Sequence, residues 1–205
     1  KIVNRFYSRI IFPIKNILGD VIAFGGRIVK DNKIAKYINS PETEFYKKGK
    51  HVFNLDKAKS STNNNQEVIV VEGYMDVISI YSSGIKNVVS NSGIALTENQ
   101  INLIWKFFSK PIICLDGDTS GQKAALRIAE NLFQFIQENN KIYFVSLANG
   151  LDPDDYIKEK GKSNFEKLIT NNLSIEEFIW NIHLKNLDRS DPFAITKFEK
   201  KFKFL

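Results

Sequence analysis

Acidic residues recur directly after apolar runs in this 205-residue sequence, at the points where strands are expected to end. The runs are "VIVV", "IICL" and "IYFVSL", and each leads into a carboxylate or a short acidic cluster. The residues concerned are Glu72, Asp76, Asp116, Asp118, Asp152, Asp154 and Asp155. Because ligands of an open parallel α/β sheet bind outside the carboxyl ends of its strands, we expect these side chains to meet at one edge.

So many carboxylates in one place predict a divalent cation. Neighbouring negative charges raise one another's pKa and disfavour folding, and a bound cation removes that conflict. The donors are all oxygen, with no His or Cys near them in the sequence, which favours Mg²⁺, or Mn²⁺ in its place, over zinc. Magnesium completes its shell with water and substrate phosphates, so the expected chemistry is phosphoryl or nucleotidyl transfer.

Each acidic motif also has an ordinary structural interpretation. An Asp-Gly-Asp triplet is a common turn, and an Asp-Pro-Asp triplet is a common helix start. Asp76 can simply favour the positive end of a helix. Their joint placement at successive strand ends favours a site instead, and Gly73 and Gly117 fit it as residues that free a turn or let a phosphate approach the backbone.

The segments between these acids predict the elements that must position them. Residues 68–71, 88–91, 112–116 and 142–147 are typical of buried strands, and helical periodicity fills the gaps between them. The clearest helix, residues 120–138, has an apolar stripe that consists of Ala125, Ile128, Ala129, Leu132 and Ile136. Alternating strands and helices predict an α/β fold, with a parallel sheet flanked by helices.

The remaining segments suggest how the chain is divided. From about Ser163 we expect helices without strands, including one amphipathic helix, "SIEEFIWNIHLKN", in which Ser174 and Glu177 form a capping box. The polar stretch "SSTNNNQ", residues 60–66, predicts a linker or exposed loop. The expected parts are a basic N-terminal subdomain of mixed α+β structure (1–62), an α/β catalytic subdomain (66–162) and a C-terminal helical segment (163–205).

The basic charge is confined to the first third of the chain. Residues 1–62 hold 13 Lys and Arg against 5 Asp and Glu, whereas the whole chain has a net charge of only +6. Such a patch suits a polyanion that is bound through its phosphates. No apolar run reaches the roughly 18 residues of a membrane span, and no signal peptide is recognisable, so we expect a cytoplasmic protein without a membrane partner. The single cysteine, Cys114, lies in an apolar run and is expected to be a core residue.

Three acidic motifs, "VVEGYMD", "LDGDTSG" and "LDPDD", resemble those of the TOPRIM domain in order and spacing. Upstream, "RIIFPI", "FGGRIV" and "KYINSPETEFYKKG" are similar to the RNA polymerase domain of bacterial DnaG-type primases. Topoisomerases, some nucleases and recombination mediators share the acidic motifs, whereas "EGYMD" together with "NSPET" is highly specific for primases. The resemblance covers almost the whole chain and implies a TOPRIM-type parallel sheet.

The resemblance also implies roles for individual residues. The catalytic and metal-binding acids would be Glu72, Asp116 and Asp118, with Asp152 and Asp154 extending the metal site and Asp76, Gly73 and Gly117 in support. Template or nucleotide contacts would come from Arg27, Lys36, Asn39, Ser40 and Lys48. One departure is Gly93-Ile94-Ala95, where the family commonly has Gly-Thr-Ala and therefore a hydroxyl.

The implied activity is template-directed synthesis of short RNA primers on single-stranded DNA from nucleoside triphosphates, dependent on Mg²⁺. Expected partners are the template, the NTPs, the RNA primer and a replicative helicase, the last through a C-terminal domain outside this chain. We expect the chain to be a fragment, with no zinc in it. The alternatives are another TOPRIM enzyme, such as a topoisomerase or nuclease, and a nucleic-acid-binding module without catalytic activity. A topoisomerase would need a tyrosine nucleophile in a separate domain, and no tyrosine here lies in a recognisable motif for it; "NSPET" also argues against the first alternative. The second typically loses acidic positions that are all present here.

Overall fold

Two β-sheets form the framework of this computed structural model, which describes residues 5–30, 35–61, 66–93, 95–147 and 150–202. The smaller sheet is antiparallel and contains β1 (Arg9–Lys15), β2 (Val21–Ile28) and β3 (Tyr37–Asn39). The larger sheet contains β4 (Glu67–Val71), β5 (Val88–Ser90), β6 (Lys110–Leu115), β7 (Tyr143–Ser146) and β8 (Leu173–Ser174). The helices are α1 (Leu55–Ser60), α2 (Tyr74–Ser82), α3 (Glu98–Trp105), α4 (Thr119–Leu132), α5 (Pro153–Lys160), α6 (Lys162–Thr170), α7 (Ile175–Lys185) and α8 (Pro192–Phe202).

The larger sheet has the strand order β5-β4-β6-β7-β8, and its first four strands are parallel. Side chains alternate between its two faces, as the pleat of a strand requires. Val68 and Val70 pack with residues of α1, α3, α4 and α7, while Ile69 and Val71 pack with residues of α2 and α6. Cys114 is fully buried in the second of these clusters. The predicted parallel sheet flanked by helices is therefore confirmed.

Two predictions about the C-terminal half are wrong. The segment after Ser163 does contain a strand, because β8 pairs antiparallel with β7 and covers backbone groups at the edge of the sheet. The helix predicted over 120–138 ends at Leu132 and continues only as a 3₁₀ turn, Phe133–Phe135. Ile136 lies beyond that turn in an extended conformation and still packs against the core. The apolar periodicity of this segment therefore predicted which residues are buried, but not where the helix ends.

The two sheets are joined through residues between β3 and β4. Phe53 exchanges two backbone hydrogen bonds with Ser90 of β5, at 2.9 and 3.2 Å. Leu55 and Ala58 of α1 are buried in the core of the larger sheet. The predicted polar break follows α1, although its residues 62–65 lie outside the described part. No described helix combines the length and the apolar character that crossing a membrane would take.

Candidate active site

A cleft of about 480 Å³ lies where the two sheets meet. The larger sheet lines it with the ends of β4, β5 and β6 and the start of α5, and the smaller sheet lines it with β2 and β3. Its lining includes Arg27, Lys36, Tyr37, Ile38, Asn39, Lys48, Glu72, Gly73, Tyr74, Met75, Asp76, Ser92, Gly93, Asp116, Asp152 and Asp154. The structure therefore brings ten of the thirteen predicted site residues to one cleft, with acids on one side and cations on the other.

Glu72 and Asp76 stand at the junction of β4 and α2. Glu72 directly follows the buried strand, and the Asp76 carboxylate turns back to accept a hydrogen bond from the Gly73 N–H at 2.9 Å. The pKa of Asp76 is raised to about 7, chiefly by burial; the Gly73 hydrogen bond lowers it, and the charges of nearby aspartates raise it. Burial and the charge of Asp118 also raise the pKa of Glu72.

Asp116 and Asp118 follow β6 but occupy different positions. Asp116 lines the cleft, and burial, with the neighbouring charges of Glu72, Asp152 and Asp118, raises its pKa to about 6. Asp118 is the N-cap of α4, where its Oδ1 accepts from the Gly121 N–H at 2.6 Å. Asp118 is not among the lining residues, although its charge acts on both Glu72 and Asp116. Asp118 therefore caps α4 and, at the same time, adds negative charge close to Glu72 and Asp116.

The turn between these two aspartates packs closely against the end of β7. A Cβ atom on Gly117 would lie 2.5 Å from the backbone oxygen of Leu147, and the Gly117 N–H donates to the Leu151 carbonyl at 2.9 Å. Since real Cβ contacts are essentially never this short, only glycine fits. Gly117 is therefore required by the path of the chain that carries Asp116 and Asp118.

The third acidic group starts α5. Asp152 is the N-cap, with its Oδ1 accepting from the Asp155 N–H at 2.7 Å and Pro153 in the first turn. Asp154 lines the cleft and also pairs with Lys158 one turn later, at 2.7 Å. These two acids thus combine the expected helix-start role with a position in the cleft. The carboxylate of Asp154 already has a cationic partner within its own helix.

The donor set of the cleft fits magnesium. Within the described ranges, no three Asp, Glu, His or Cys side chains are gathered closely enough to enclose a metal ion by themselves. Magnesium needs no such cage, because one or two carboxylates, water and substrate phosphates complete its shell. The raised pKa values of Asp76 and Asp116 also show that the cleft disfavours uncompensated negative charge. A divalent cation near Glu72 and Asp116 would offset that cost.

Cationic side chains form the opposite side of the cleft. The Arg27 guanidinium lies 5.6 Å and the Lys36 ammonium 6.0 Å from the centroid of the Tyr37 ring, so both cations contact the same aromatic ring. Lys48 lies in a 3₁₀ turn, and burial lowers its pKa. Ser40 does not line the cleft, because its hydroxyl oxygen accepts from the Phe24 N–H at 3.0 Å and so joins β3 to β2.

An aromatic residue that the sequence interpretation missed joins the two sides. Tyr74, in the first turn of α2, is only 3% exposed, and its hydroxyl donates to Asn39 Oδ1 at 2.8 Å. Its ring stacks on Phe12 with a centroid distance of 5.1 Å and packs against Gly25, where a Cβ atom would lie 2.7 Å from the ring. The position of Tyr74 between two cleft acids in "EGYMD" was the signal available in the sequence.

Other residues that the sequence interpretation missed line the same cleft. They are Tyr37, Ile38, Met75, Ser92 and Gly93. Ser92 has a positive φ of 62°, which is uncommon for a residue other than glycine. Its N–H donates to the Ser90 hydroxyl at 2.9 Å, and this hydroxyl donates to the Glu72 carbonyl at 2.6 Å. Ile94, the residue at which this chain departs from the Gly-Thr-Ala of the family, lies outside the described residues.

Known proteins resemble the chain over both sheets. Two family models match it, the N-terminal domain of the DNA primase catalytic core over residues 1–59 and the Toprim domain over residues 66–146. The DNA primase of Rickettsia felis is 40% identical over 182 residues, which cover 89% of this chain and 30% of that protein. The chain thus spans about a third of the length of the curated relatives it matches.

Solved structures share the fold. A crystal structure of a DNA primase domain from Pseudomonas aeruginosa has a TM-score of 0.88 and 34% identity, over 95% of this chain and 61% of that one. A structure of the DnaG primase catalytic domain bound to ssDNA has a TM-score of 0.87 and 32% identity, over 96% of this chain and 63% of that one. The similarity therefore extends across the junction between the two sheets.

Proposed function

The chain belongs to the DnaG-type DNA primase family, and from this we propose that it is part of a catalytic core that makes short RNA primers on single-stranded DNA. The observation that carries the proposal is the cleft, in which acids from the ends of β4 and β6 and the start of α5 are gathered with cations from the smaller sheet and the Lys48 turn. The match of residues 1–59 to a primase domain favours this activity over that of a TOPRIM topoisomerase or nuclease.

The acids would handle the triphosphate and the attacking hydroxyl. Glu72 and Asp116, with Asp118 beside them, would hold Mg²⁺, and Asp152 and Asp154 would extend the site. When bound there, Mg²⁺ supplies positive charge to the attacking 3′ oxygen and to the leaving pyrophosphate. These carboxylates are pre-positioned by β4, β6 and the starts of α4 and α5, so little rearrangement is needed to orient substrate groups against them.

The cations would bind phosphate. Arg27, Lys36 and Lys48 line the cleft opposite the acids, and Asn39 adds an amide held by Tyr74. Contacts with phosphates position a nucleic acid without reading its sequence, so we expect strong salt dependence and little base preference. The similar DnaG primase catalytic domain bound to ssDNA supports the binding of single-stranded DNA by this chain. The helicase contact and the cytoplasmic location expected from the sequence stay predictions.

The first experiment replaces Asp118 by asparagine. The new amide side chain would keep an oxygen that accepts from the Gly121 N–H, so the helix cap remains while the negative charge is lost. In a primer-synthesis assay of the full-length protein with Mg²⁺, a DNA template and NTPs, we expect Asp118→Asn to lower kcat at least ~100-fold. We expect its melting temperature to stay close to that of the wild type.

A matched control is available in α8. Asp191 also accepts a backbone N–H at the start of its helix, from Phe193 at 2.9 Å, but it is not among the charges that raise the pKa of Glu72 and Asp116. Asp191→Asn should therefore synthesise primers at the wild-type rate. Normal synthesis by Asp118→Asn would contradict the role of Asp118, whereas no synthesis by the wild type would contradict the proposed function itself.

A further inference from the structure

Gln100 is a fully buried polar side chain that does not line the cleft. It lies in α3 with 0% exposure, and its Nε2 donates to the carbonyls of His51, Lys48 and Asn91 at 2.8, 3.3 and 3.4 Å. Burying an amide is costly unless it is hydrogen-bonded, so this side chain is stable only with those carbonyls in place. Gln100 thus links the turn that carries Lys48 to the chain at the end of β5.

Thr97 determines which way the Gln100 amide faces. The Thr97 hydroxyl oxygen accepts from the Gln100 N–H at 3.2 Å, and Gln100 Oε1 accepts from the Thr97 N–H at 3.1 Å, as in a capping box. Because Oε1 is used within the helix, Nε2 is the atom left to face the carbonyls. The Thr97 hydroxyl also donates to the Gly49 carbonyl at 2.6 Å. One helix start therefore holds consecutive residues of the turn Lys48–Lys50.

Lys48 is held on both sides of its backbone. Its N–H donates to Glu42 Oε1 at 2.9 Å, and its carbonyl accepts from Gln100. The side chain lines the cleft. A lysine side chain has a long flexible stem, so the position of its ammonium group depends on where the backbone is fixed.

We infer that Thr97 and Gln100 are positioning residues, which fix the Lys48 turn against the larger sheet so that the Lys48 ammonium group meets a substrate phosphate. The inference rests on the proposed function, in which Lys48 binds phosphate. If Gln100 served only the stability of α3, its loss would change unfolding but not the behaviour of Lys48. If Gln100 positions Lys48, substitution of either residue must change the same functional quantity.

The test uses Gln100→Met, which keeps the length of the side chain and removes its donors. In the full-length protein, we would measure the KM for NTPs and the salt dependence of binding to a single-stranded oligonucleotide. We expect Lys48→Met to raise KM about 3- to 10-fold or to reduce the slope of log K against log salt by about 0.7, the value for one phosphate contact. Gln100→Met should change the same quantity in the same direction. Its kcat should change less than about 2-fold, because the lost phosphate contact is made equally in the ground state and the transition state.

Combining the variants gives the decisive result. The double variant Lys48→Met/Gln100→Met should be no worse than Lys48→Met alone, because a positioning residue has nothing to act on once Lys48 is gone. Thr97→Val should change the same quantity, and Thr97→Ser, which keeps the hydroxyl, should restore it. The control is Ile104→Val, a fully buried change in the same helix, which should lower the melting temperature without altering KM or the slope.

Two results would overturn the inference. One is a Gln100→Met protein that unfolds more easily but keeps the KM and slope of the wild type, and the other is an additive effect in the double variant. If Lys48→Met changes neither quantity, both the inference and the phosphate-binding role of Lys48 are wrong. If the wild type binds DNA but makes no primers, the proposed function fails, while the binding slope still decides the inference.

Discussion

The acidic and basic sides of the cleft are built differently. Glu72 and Asp116 each follow a strand whose residues are almost all buried, and Asp118 and Asp152 begin helices that pack on the same sheet. The basic side consists of a three-stranded sheet and a 3₁₀ turn, and several of its large apolar side chains are exposed. A buried sheet can hold the acids against their mutual repulsion, whereas the small sheet has little core of its own.

Part of the basic charge is used to hold the backbone of the small sheet. Arg9 donates to the Ala35 carbonyl at 2.7 Å and to the Lys36 carbonyl at 3.2 Å, and Arg5 donates to the Asn39 carbonyl at 3.2 Å. These arginines fix the segment that presents Lys36 and Asn39. The acids are therefore placed by strand ends and helix starts, whereas the basic side is held by cross-links, chiefly those made by arginines, Tyr74 and Gln100.

The two adjacent glycines of β2 offer the strongest test of this comparison. A Cβ on Gly25 would lie 2.7 Å from the buried ring of Tyr74, and one on Gly26 would lie 2.6 Å from the Phe6 ring, which is only partly buried. Tyr74 is confined between Phe12 and Phe53 and cannot withdraw. We expect Gly25→Ala to lower the free energy of unfolding by about 3 kcal/mol, as overpacking does. Denaturant unfolding measures this change.

Gly26→Ala is the matched control, because the Phe6 ring that would meet the added methyl group is only partly buried, whereas Tyr74 is buried. It should cost clearly less than Gly25→Ala, and primer synthesis should fall more in Gly25→Ala, since the Tyr74 ring lies between Asn39 and the cleft acids. Equal losses in the two variants would mean that close packing on Tyr74 does not set the relation between the sheets.

The acidic side predicts a pH dependence of stability. The pKa of Asp76 is raised to about 7, whereas that of an unfolded aspartate is near 4, so between these values the folded protein binds more protons. The stabilisation of the folded protein by protonated Asp76 is therefore fully present below about pH 4 and is lost as the pH rises through about 7. With a chelator present, we expect Asp76→Asn to raise the unfolding free energy at pH 8 by about 2 kcal/mol. The gain is smaller than the full shift implies because the amide must also be buried.

The gain from Asp76→Asn should disappear near pH 4, where both side chains are neutral and the variant keeps only the cost of burying its amide. Asparagine still offers an oxygen to the Gly73 N–H, so the start of α2 is retained. Glu44→Gln, a change at an exposed carboxylate, should leave the pH profile unaltered. A constant difference between pH 4 and pH 8 would show that Asp76 affects stability through packing and not through its charge.

The acidic side could largely be located from the sequence, and the basic side only in part. Strand ends are local features, so Glu72, Asp116 and Asp152 could be assigned to one edge once the sheet was parallel. Tyr74 and Gln100 could not be recognised, because their partners Asn39 and Lys48 lie 35 and 52 residues away. Such pairs depend on how two sheets pack, and the period of apolar residues contains no such information.

The errors in the fold have a similar origin. β8 is only two residues long and exists because β7 leaves an edge to pair with, which is a tertiary effect. The end of α4 was placed too late because Ile136 continues its apolar stripe after the helix has stopped. In contrast, the capping box of Ser174 and Glu177 was predicted correctly, since both of its hydrogen bonds form within one helical turn.

The smallest expected effect separates the ring of Tyr74 from its hydroxyl. Tyr74→Phe removes the 2.8 Å hydrogen bond to Asn39 and leaves the contacts with Phe12 and Phe53. We expect a loss of about 1 kcal/mol in unfolding free energy. Tyr7→Phe, at a residue that is 78% exposed, should cost nothing measurable. If Tyr74→Phe costs as much as Gly25→Ala, the sheets are joined mainly by the hydrogen bond and not by the packing of the ring, and the basic side depends on polar cross-links alone.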